Sequence, residues 1–419
     1  MIGVGRKMSV NTGDTAWVTV ATGLVMLMTP ALGFFYGGLV RRKNISNTIA
    51  QCFAIFAVVT LVWTFWGYSL ALGTSTGAYI GNFDKVLLNN VDVSTMYGGS
   101  GITEFSYYSF QLMFAAITPA LIVGAFAERI KFRSLLIFTV LWSTFVYSPV
   151  AHWVWSSAGW IHQLGAIDFA GGTVVHITAG VSALAAAIVI GPRMNREKIE
   201  GKPSNVPFVI LGAALLWFGW FGFNAGSALG ASSIAVSAFV VTNLSAAAAT
   251  VSWMAMDTII KGKPSATGMA IGAVCGLVAI TPASGFVNPA SAIIIGLAAG
   301  IISNLVSSWR MRTRLDDTLD VFACHGVSGI WGSIATGLFA TTAVNGAGKN
   351  GLFYGNPSQF LIQIEAVLVV AIFAFAVSFA LLKIVNVFSK LRVAPEEEEK
   401  GLDLSQSGEE AYSPTDTPS

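Results

Sequence analysis

The sequence predicts an all-α polytopic membrane protein with eleven transmembrane helices: two inverted five-helix repeats and a final helix. Three observations carry this. Eleven stretches approach the roughly 20 apolar residues that a span requires. Lys and Arg fall overwhelmingly on alternate loops. Two similar stretches, each with an acid followed by a histidine, recur in the fifth helix of each half.

Of the 419 residues, 54% are hydrophobic and only 11% charged, against roughly 25% charged in soluble domains. An ordinary soluble protein is therefore excluded. The net charge of +2 favours no partner, because in a membrane protein charge matters by location, and nothing supports nucleic-acid binding. The spans are expected near 15–38, 46–72, 105–127, 135–156, 170–190, 206–228, 233–258, 267–283, 289–309, 320–341 and 358–389. Pro282 and Gly285 cut the eighth short. The first stretch is long enough to span and lacks a small-residue cleavage site, so no cleavable signal is expected; Met8 is a second candidate for the start.

The loops orient the chain. One side receives the clusters at Arg41–Lys43, Arg129–Arg133, Arg193–Lys202, Lys261–Lys263 and Arg310–Arg314, with Lys383, Lys390, Arg392 and Lys400 around the last helix and tail. The other side keeps Arg6, Lys7, Lys85 and Lys349. By the positive-inside rule the N-terminus is outside and the C-terminus cytoplasmic. Three regions follow: a short extracytoplasmic segment (1–14), an eleven-helix domain (15–389) and a cytoplasmic tail (390–419). The tail carries Glu396 to Glu399, Glu409 and Glu410 and closes S-P-T-D-T-P-S, a composition that predicts disorder at its end.

Asp168 to Gly180 reads D-F-A-G-G-T-V-V-H-I-T-A-G, and Asp320 to Gly329 reads D-V-F-A-C-H-G-V-S-G. At about 1.5 Å rise per residue, His176 lies roughly two turns inside its helix, where an ionisable residue is a functional hypothesis. Gly172, His176 and Gly180, and likewise His325, Gly329, Ser333 and Gly337, repeat every four residues, the stripe of a tight helix crossing. Spacing alone also fits two unrelated histidines bonded to nearby carbonyls. Five helices in each half make the repeats inverted, and a pseudo-twofold axis then brings His176 and His325 together near the midplane. Asp168 is a natural N-cap; a bare carboxylate at depth costs several kcal/mol, which favours an orienting acid, and Asp320 reads the same way. His152 and His162 lie near the outer surface and carry no motif weight. Cys52, Cys275 and Cys324 sit in apolar segments without disulfide or metal spacing and read as packed small hydrophobes.

Longer motifs add a resemblance. From about Asp14 to Tyr412 the chain contains P-A-L-G-F-F-Y-G-G-L-V-R-R-K-N (Pro30 to Asn44), A-A-I-T-P-A-L-I-V-G-A-F-A-E-R (Ala115 to Arg129), D-F-A-G-G-T-V-V-H, G-W-F-G-F-N-A-G-S (Gly219 to Ser227) and D-V-F-A-C-H-G-V. In this order they resemble the Amt/Mep/Rh ammonium transporter family, specifically its prokaryotic Amt branch. The resemblance implies a homotrimer in the cell membrane, each subunit with its own narrow pore. It implies that Trp155, Ser227 and Phe110 recruit ammonium, that Asp168 orders that site, and that Phe114 and Phe223 form the gate. His176 and His325 match the twin histidines of the pore. Trp153 and Trp160 are neighbouring rivals for the aromatic role of Trp155. The tail resembles the family's regulatory C-terminus, where a PII-class signalling protein docks. Arg129, Arg133, Arg193, Arg196 and residues 310–314 would give it a complementary face.

The chemistry agrees. A desolvated cation over aromatic faces gains about 2 kcal/mol or more, and ammonium offers four N–H donors that potassium lacks. Burial in an apolar pore disfavours the charged form of an amine, so the expected function is ammonium recruitment, deprotonation and conduction of ammonia past the histidines, with net proton or charge transfer. No catalytic residue, metal or cofactor is expected. Three rivals stand beside it. An enzyme would need a strained nucleophile motif, a haem carrier would use both histidines as axial ligands, and an ammonium sensor with little net transport would be expected to carry an added cytoplasmic domain.

Overall fold

The computed structural model describes residues 9–74, 77–98, 100–199 and 202–412; Arg6, Lys7, Met8 and the closing S-P-T-D-T-P-S run lie outside them. Every expected span coincides with a helix. In the first half α1 is Thr12–Leu39. A π-helical turn, Trp63–Gly67, joins the two parts of α2, Ile45–Val62 and Tyr68–Leu72. Helix α3 is Glu104–Phe126, and α4 joins Phe132–Trp142 to Ser148–Trp155 through the π turn Ser143–Tyr147. The fifth, α5, opens with the π turn Gly172–Ile177 and continues as Thr178–Ile190. In the second half α6 is Val206–Gly226, α7 Ser233–Lys261, α8 Ala266–Ile280 and α9 Pro289–Met311. Helix α10 again opens with a π turn, Phe322–Val327, before Ser328–Phe339; α11 is Pro357–Phe388. Nine described helical runs are long and apolar enough to cross a membrane; α8, at 15 residues, and α10 are not among the nine.

Side-chain caps fix many helix starts. Asn11, Thr103, Asn205, Ser232, Ser265, Asn288 and Asn356 each accept a backbone N–H from the first turn of α1, α3, α6, α7, α8, α9 and α11, satisfying donors that have no partner inside the helix. At α9 and α11 a proline follows the asparagine, where its missing N–H costs nothing.

The two halves repeat one set of neighbours. In each, the second helix packs on the third and fourth and the third on the fifth, while α1 and α6, the two first helices, form the most extensive pairing. That pairing is close because Gly212, Gly219, Gly222 and Gly226 line one face of α6; a Cβ at any of them would overlap α1 at Phe35, Met28, Leu24 or Ala21. Helix α3 is buried along nearly its whole length, which puts Phe110 and Phe114 at the centre of the bundle.

The basic face is organised differently from the sequence expectation. Glu128 accepts from Arg41 N (2.6 Å), Arg41 Nε (2.8 Å) and Arg193 Nη1 (3.3 Å). Asp316 takes Arg193 Nε and Nη2, each at 2.9 Å, and Arg310 pairs with Asp320. Arg129, fully buried, donates to four oxygens of Gly191, Ala127, Thr318 and Asp316. Burial lowers its pKa to about 10. Burial pushes Asp316 up, but the bonds from Arg193 and the charges of Arg129 and Arg193 outweigh it and hold the carboxyl at about 2. The side chains of Arg129, Arg193 and Arg310 are thus bonded to loop acids, loop carbonyls and the Thr318 hydroxyl and not to the tail's carboxylates, although the charge of Glu398 acts on Arg129 and Val393 N donates to Arg129 O at 3.0 Å.

The tail docks by other means. Helix α12 (Pro395–Lys400) places Glu398 against Arg392 Nη2 (2.8 Å) and Met194 N (2.7 Å). Asp403 accepts from Asn47 N (2.7 Å), Leu402 N donates to Asn44 Oδ1 (2.8 Å), and Tyr412 meets Asn205 at 2.5 Å with Arg42 over its ring. Its seat is therefore the loops after α1, α3 and α5 with the starts of α2 and α6; at the second of these loops Lys131 N donates to Leu391 O at 2.8 Å and Val393 N to Arg129 O at 3.0 Å.

Candidate functional site

The site begins with the acid before α5. The Asp168 carboxylate accepts backbone N–H bonds from Gly171 (2.9 Å), Gly172 (2.8 Å), Thr173 (2.8 Å) and Val174 (3.3 Å). These are the donors a helix start leaves unpaired, and Gly171 reaches the required geometry at φ +107, a left-handed conformation suited to glycine. Both oxygens of Asp168 are thus occupied in capping the start of α5. In the second half this role falls to Asp317 and not to Asp320. Asp317 Oδ2 accepts from Phe322 N at 2.7 Å, whereas Asp320 stands at φ +56 and bonds Ser307 and Arg310. The sequence held the clue: Asp317 precedes His325 by the same interval that separates Asp168 from His176. Burial, with Asp320 nearby, pushes the Asp317 carboxyl up to about 6.

From these caps the π turns carry the histidines inward. Such turns are rare and frequent at functional sites. The two helices cross on their small residues: a Cβ at Gly180 would overlap the backbone of Gly326, and one at Gly329 would press on His176 and Gly172, while Thr173 and Ser333 hydroxyls meet at 3.3 Å. The stripes read from the sequence thus face each other as far as Ser333; Gly337 packs instead against Phe360 and Gln363 of α11. His176 Nδ1 and His325 Nδ1 are 3.3 Å apart and the rings stack at 5.4 Å; both are almost fully buried. His176 Nε2 has no hydrogen-bond partner within the protein.

Aromatic rings continue the file. Phe223 lies 5.8 Å from His176, Phe114 lies 4.2 Å from Phe223, and Trp155 stands edge-on to Phe114 at 5.8 Å. Phe110 packs on Phe114 at 4.9 Å. Trp155 is half-buried and its indole N–H donates to Asp168 O at 3.2 Å, so the cap and the aromatic are one unit. Ser227 is part-exposed and donates to Phe223 O at 2.8 Å; it follows Gly226, which packs against the Phe110 ring. Trp153 turns away, bonding Tyr79 O at 2.7 Å and packing on Phe373 and Trp160.

Sequence reasoning missed Trp220, which stacks on His176 at 5.4 Å with 21° between planes and donates to Thr281. Its position three residues before Phe223, on the same helix face, was the available signal. His152, in the last turn of α4, is fully buried with its ring nitrogens on Ala71 O and Gly77 O, which pins the end of α2 and the loop after it. Cys275 and Cys324 pack with Trp253 as small hydrophobes.

Residues 16–412 match the family model described as Ammonium Transporter Family. The chain is 47% identical to "Ammonium transporter Amt1" of Archaeoglobus fulgidus, over 96% of this chain and 99% of that protein. It is also 47% identical to an "Ammonium transporter" of Bacillus subtilis, over 96% and 98%. Among solved structures, Saccharomyces cerevisiae Mep2 superposes with a TM-score of 0.90 at 35% identity, covering 98% of this chain and 93% of that one.

Proposed function

The chain belongs to the Ammonium Transporter Family and is a membrane-spanning ammonium transporter, and from that premise we propose how it moves its substrate. Ammonium is recruited at Trp155, Ser227 and Phe110, in a site ordered by Asp168. Phe114 and Phe223 form the gate. Beyond it the apolar surroundings disfavour the charged amine, the substrate gives up a proton, and ammonia passes along His176 and His325 with net proton or charge transfer. The observation that carries this reading is the continuous file of rings from Trp155 to His325, with successive centroids 5.8, 4.2, 5.8 and 5.4 Å apart.

Recruitment is tested at the indole. A cation–π contact of about 2 kcal/mol corresponds to roughly thirty-fold in affinity, so Trp155→Leu is expected to raise the apparent KM for ammonium by up to that factor with assembly intact. Trp153→Leu, already turned away, is expected to leave KM unchanged. The opposite pattern would move the recruitment role to Trp153.

The protein acts as a homotrimer in the cell membrane, N-terminus outside and tail cytoplasmic, on this same reading. A PII-class protein would meet the pores on the cytoplasmic face, where charge steering sets encounter more than affinity. Residues 390–419 form the regulatory tail. Its contacts with Asn44, Asn47, Met194 and Asn205 tie it to the ends of three helices, so truncation after Lys390 is expected to lower transport several-fold although no pore residue is touched. Unchanged flux from assembled trimers would reduce the tail to a solvated charge run.

A further inference from the structure

The loop that presents Asp168 is held by a residue on the last helix, outside both repeats. Gln363 of α11 is buried and pairs with Ile167 in both directions: its Oε1 accepts from Ile167 N at 2.8 Å and its Nε2 donates to Ile167 O at 2.9 Å. The same Nε2 donates to Ser333 O on α10 at 3.2 Å. One turn earlier, Gln359 Nε2 donates to Gly165 O at 3.0 Å. Ile167 is followed by Asp168, whose carboxylate caps α5 and whose carbonyl receives the Trp155 indole. The Gln363 amide therefore ties the residue before the cap directly to the α10 helix that carries His325, with Gln359 beside it and Phe169 N bonded to Pro282 O at 3.1 Å on the far side of Asp168.

Geometry of this kind is demanding. An amide that satisfies a peptide N–H and C=O together fixes the loop in register, as a strand partner would, and its buried groups have no solvent to fall back on. We infer that Gln363 is a positioning residue for ammonium selection, holding Asp168 O and hence Trp155 at the spacing the substrate requires. The inference rests on the recruitment reading above. It extends the site to α11, which contributes no residue to the ring file.

Gln363→Ala is compared with wild type in proteoliposomes, reading apparent KM, Vmax per assembled protein and preference for ammonium over potassium. Loss of the paired bonds is expected to raise KM and lower the ammonium preference about tenfold, with Vmax within about twofold. Gln363→Met keeps the length and loses both bonds, and replaces the alanine variant if that one fails to assemble. Gln363→Glu keeps the acceptor for Ile167 N and is expected to fall between. Ser378→Ala is the control: it is equally buried on α11 but bonded to Trp142 and Ser182, and is expected to keep wild-type KM and selectivity. Less assembled protein with KM and selectivity unchanged in both Gln363→Ala and Gln363→Met would overturn the inference. Trp155→Leu in parallel separates the two ideas. If it raises KM and the Gln363 variants do not, positioning by Gln363 fails alone; if it leaves KM unchanged, the recruitment reading fails first.

Discussion

Asp168→Ala is expected to abolish ammonium-selective transport, lowering flux about a hundredfold or more. Four backbone N–H groups at the start of α5 have this carboxylate as their partner. Leaving a buried donor unsatisfied costs about 1–3 kcal/mol, so losing even two of the four exceeds the 1.4 kcal/mol of a tenfold change. The damage is local but placed at the site: the π turn that carries His176 loses its cap, and the loop that accepts the Trp155 N–H loses its anchor. Asp168→Asn retains one acceptor oxygen and is expected to keep more flux than alanine. Radiotracer or pH-based uptake by assembled protein measures this, and full selective flux in the alanine variant would show that the acid orders nothing the substrate uses.

The second large effect is expected at the histidines. His176→Ala and His325→Ala should each lower or alter ammonium flux, roughly three- to tenfold if each neutral hydrogen bond to the substrate contributes about 0.5–1.5 kcal/mol. The double variant should lose more than either. The two Nδ1 atoms meet only each other, at 3.3 Å, and His176 Nε2 has no protein partner, so alanine at both positions removes one inter-helix contact and orphans no other group through it; Gly180, Gly326 and Gly329 make the close crossing. Assembly is therefore expected to survive. Full ammonium-selective flux in the double alanine variant would remove the pair from the path.

Much of this was legible in the residues. Apolar length and the Lys and Arg partition located all eleven helices, because a lipid solvent punishes unpaired backbone so severely that few alternatives exist. The small-residue stripes around His176 and His325 announced a close crossing, and the fifth-helix placement announced that they meet. What escaped notice was non-periodic. The π turns shift helix phase without a composition signal, and Asp320 at φ +56 looked like a cap because it stands nearer the motif than Asp317 does. Gln363 contacts Ile167 across 196 positions, a distance at which no local pattern reports. Arg193 and Arg310 were expected to meet the tail's acids and instead pair with Glu128, Asp316 and Asp320, because sequence gives the sign of a surface but not which acid reaches it.

The central claim is that substrate gives up its proton and crosses as ammonia along the ring file, with ammonium chosen over an ion of similar size by its N–H donors. Current recordings on purified protein in liposomes, with equal gradients of ammonium and potassium, test it most directly. The expected result is a transport signal with ammonium and none with potassium. A potassium current comparable to that of ammonium would contradict the account, because an ion without a proton to lose cannot travel by that route.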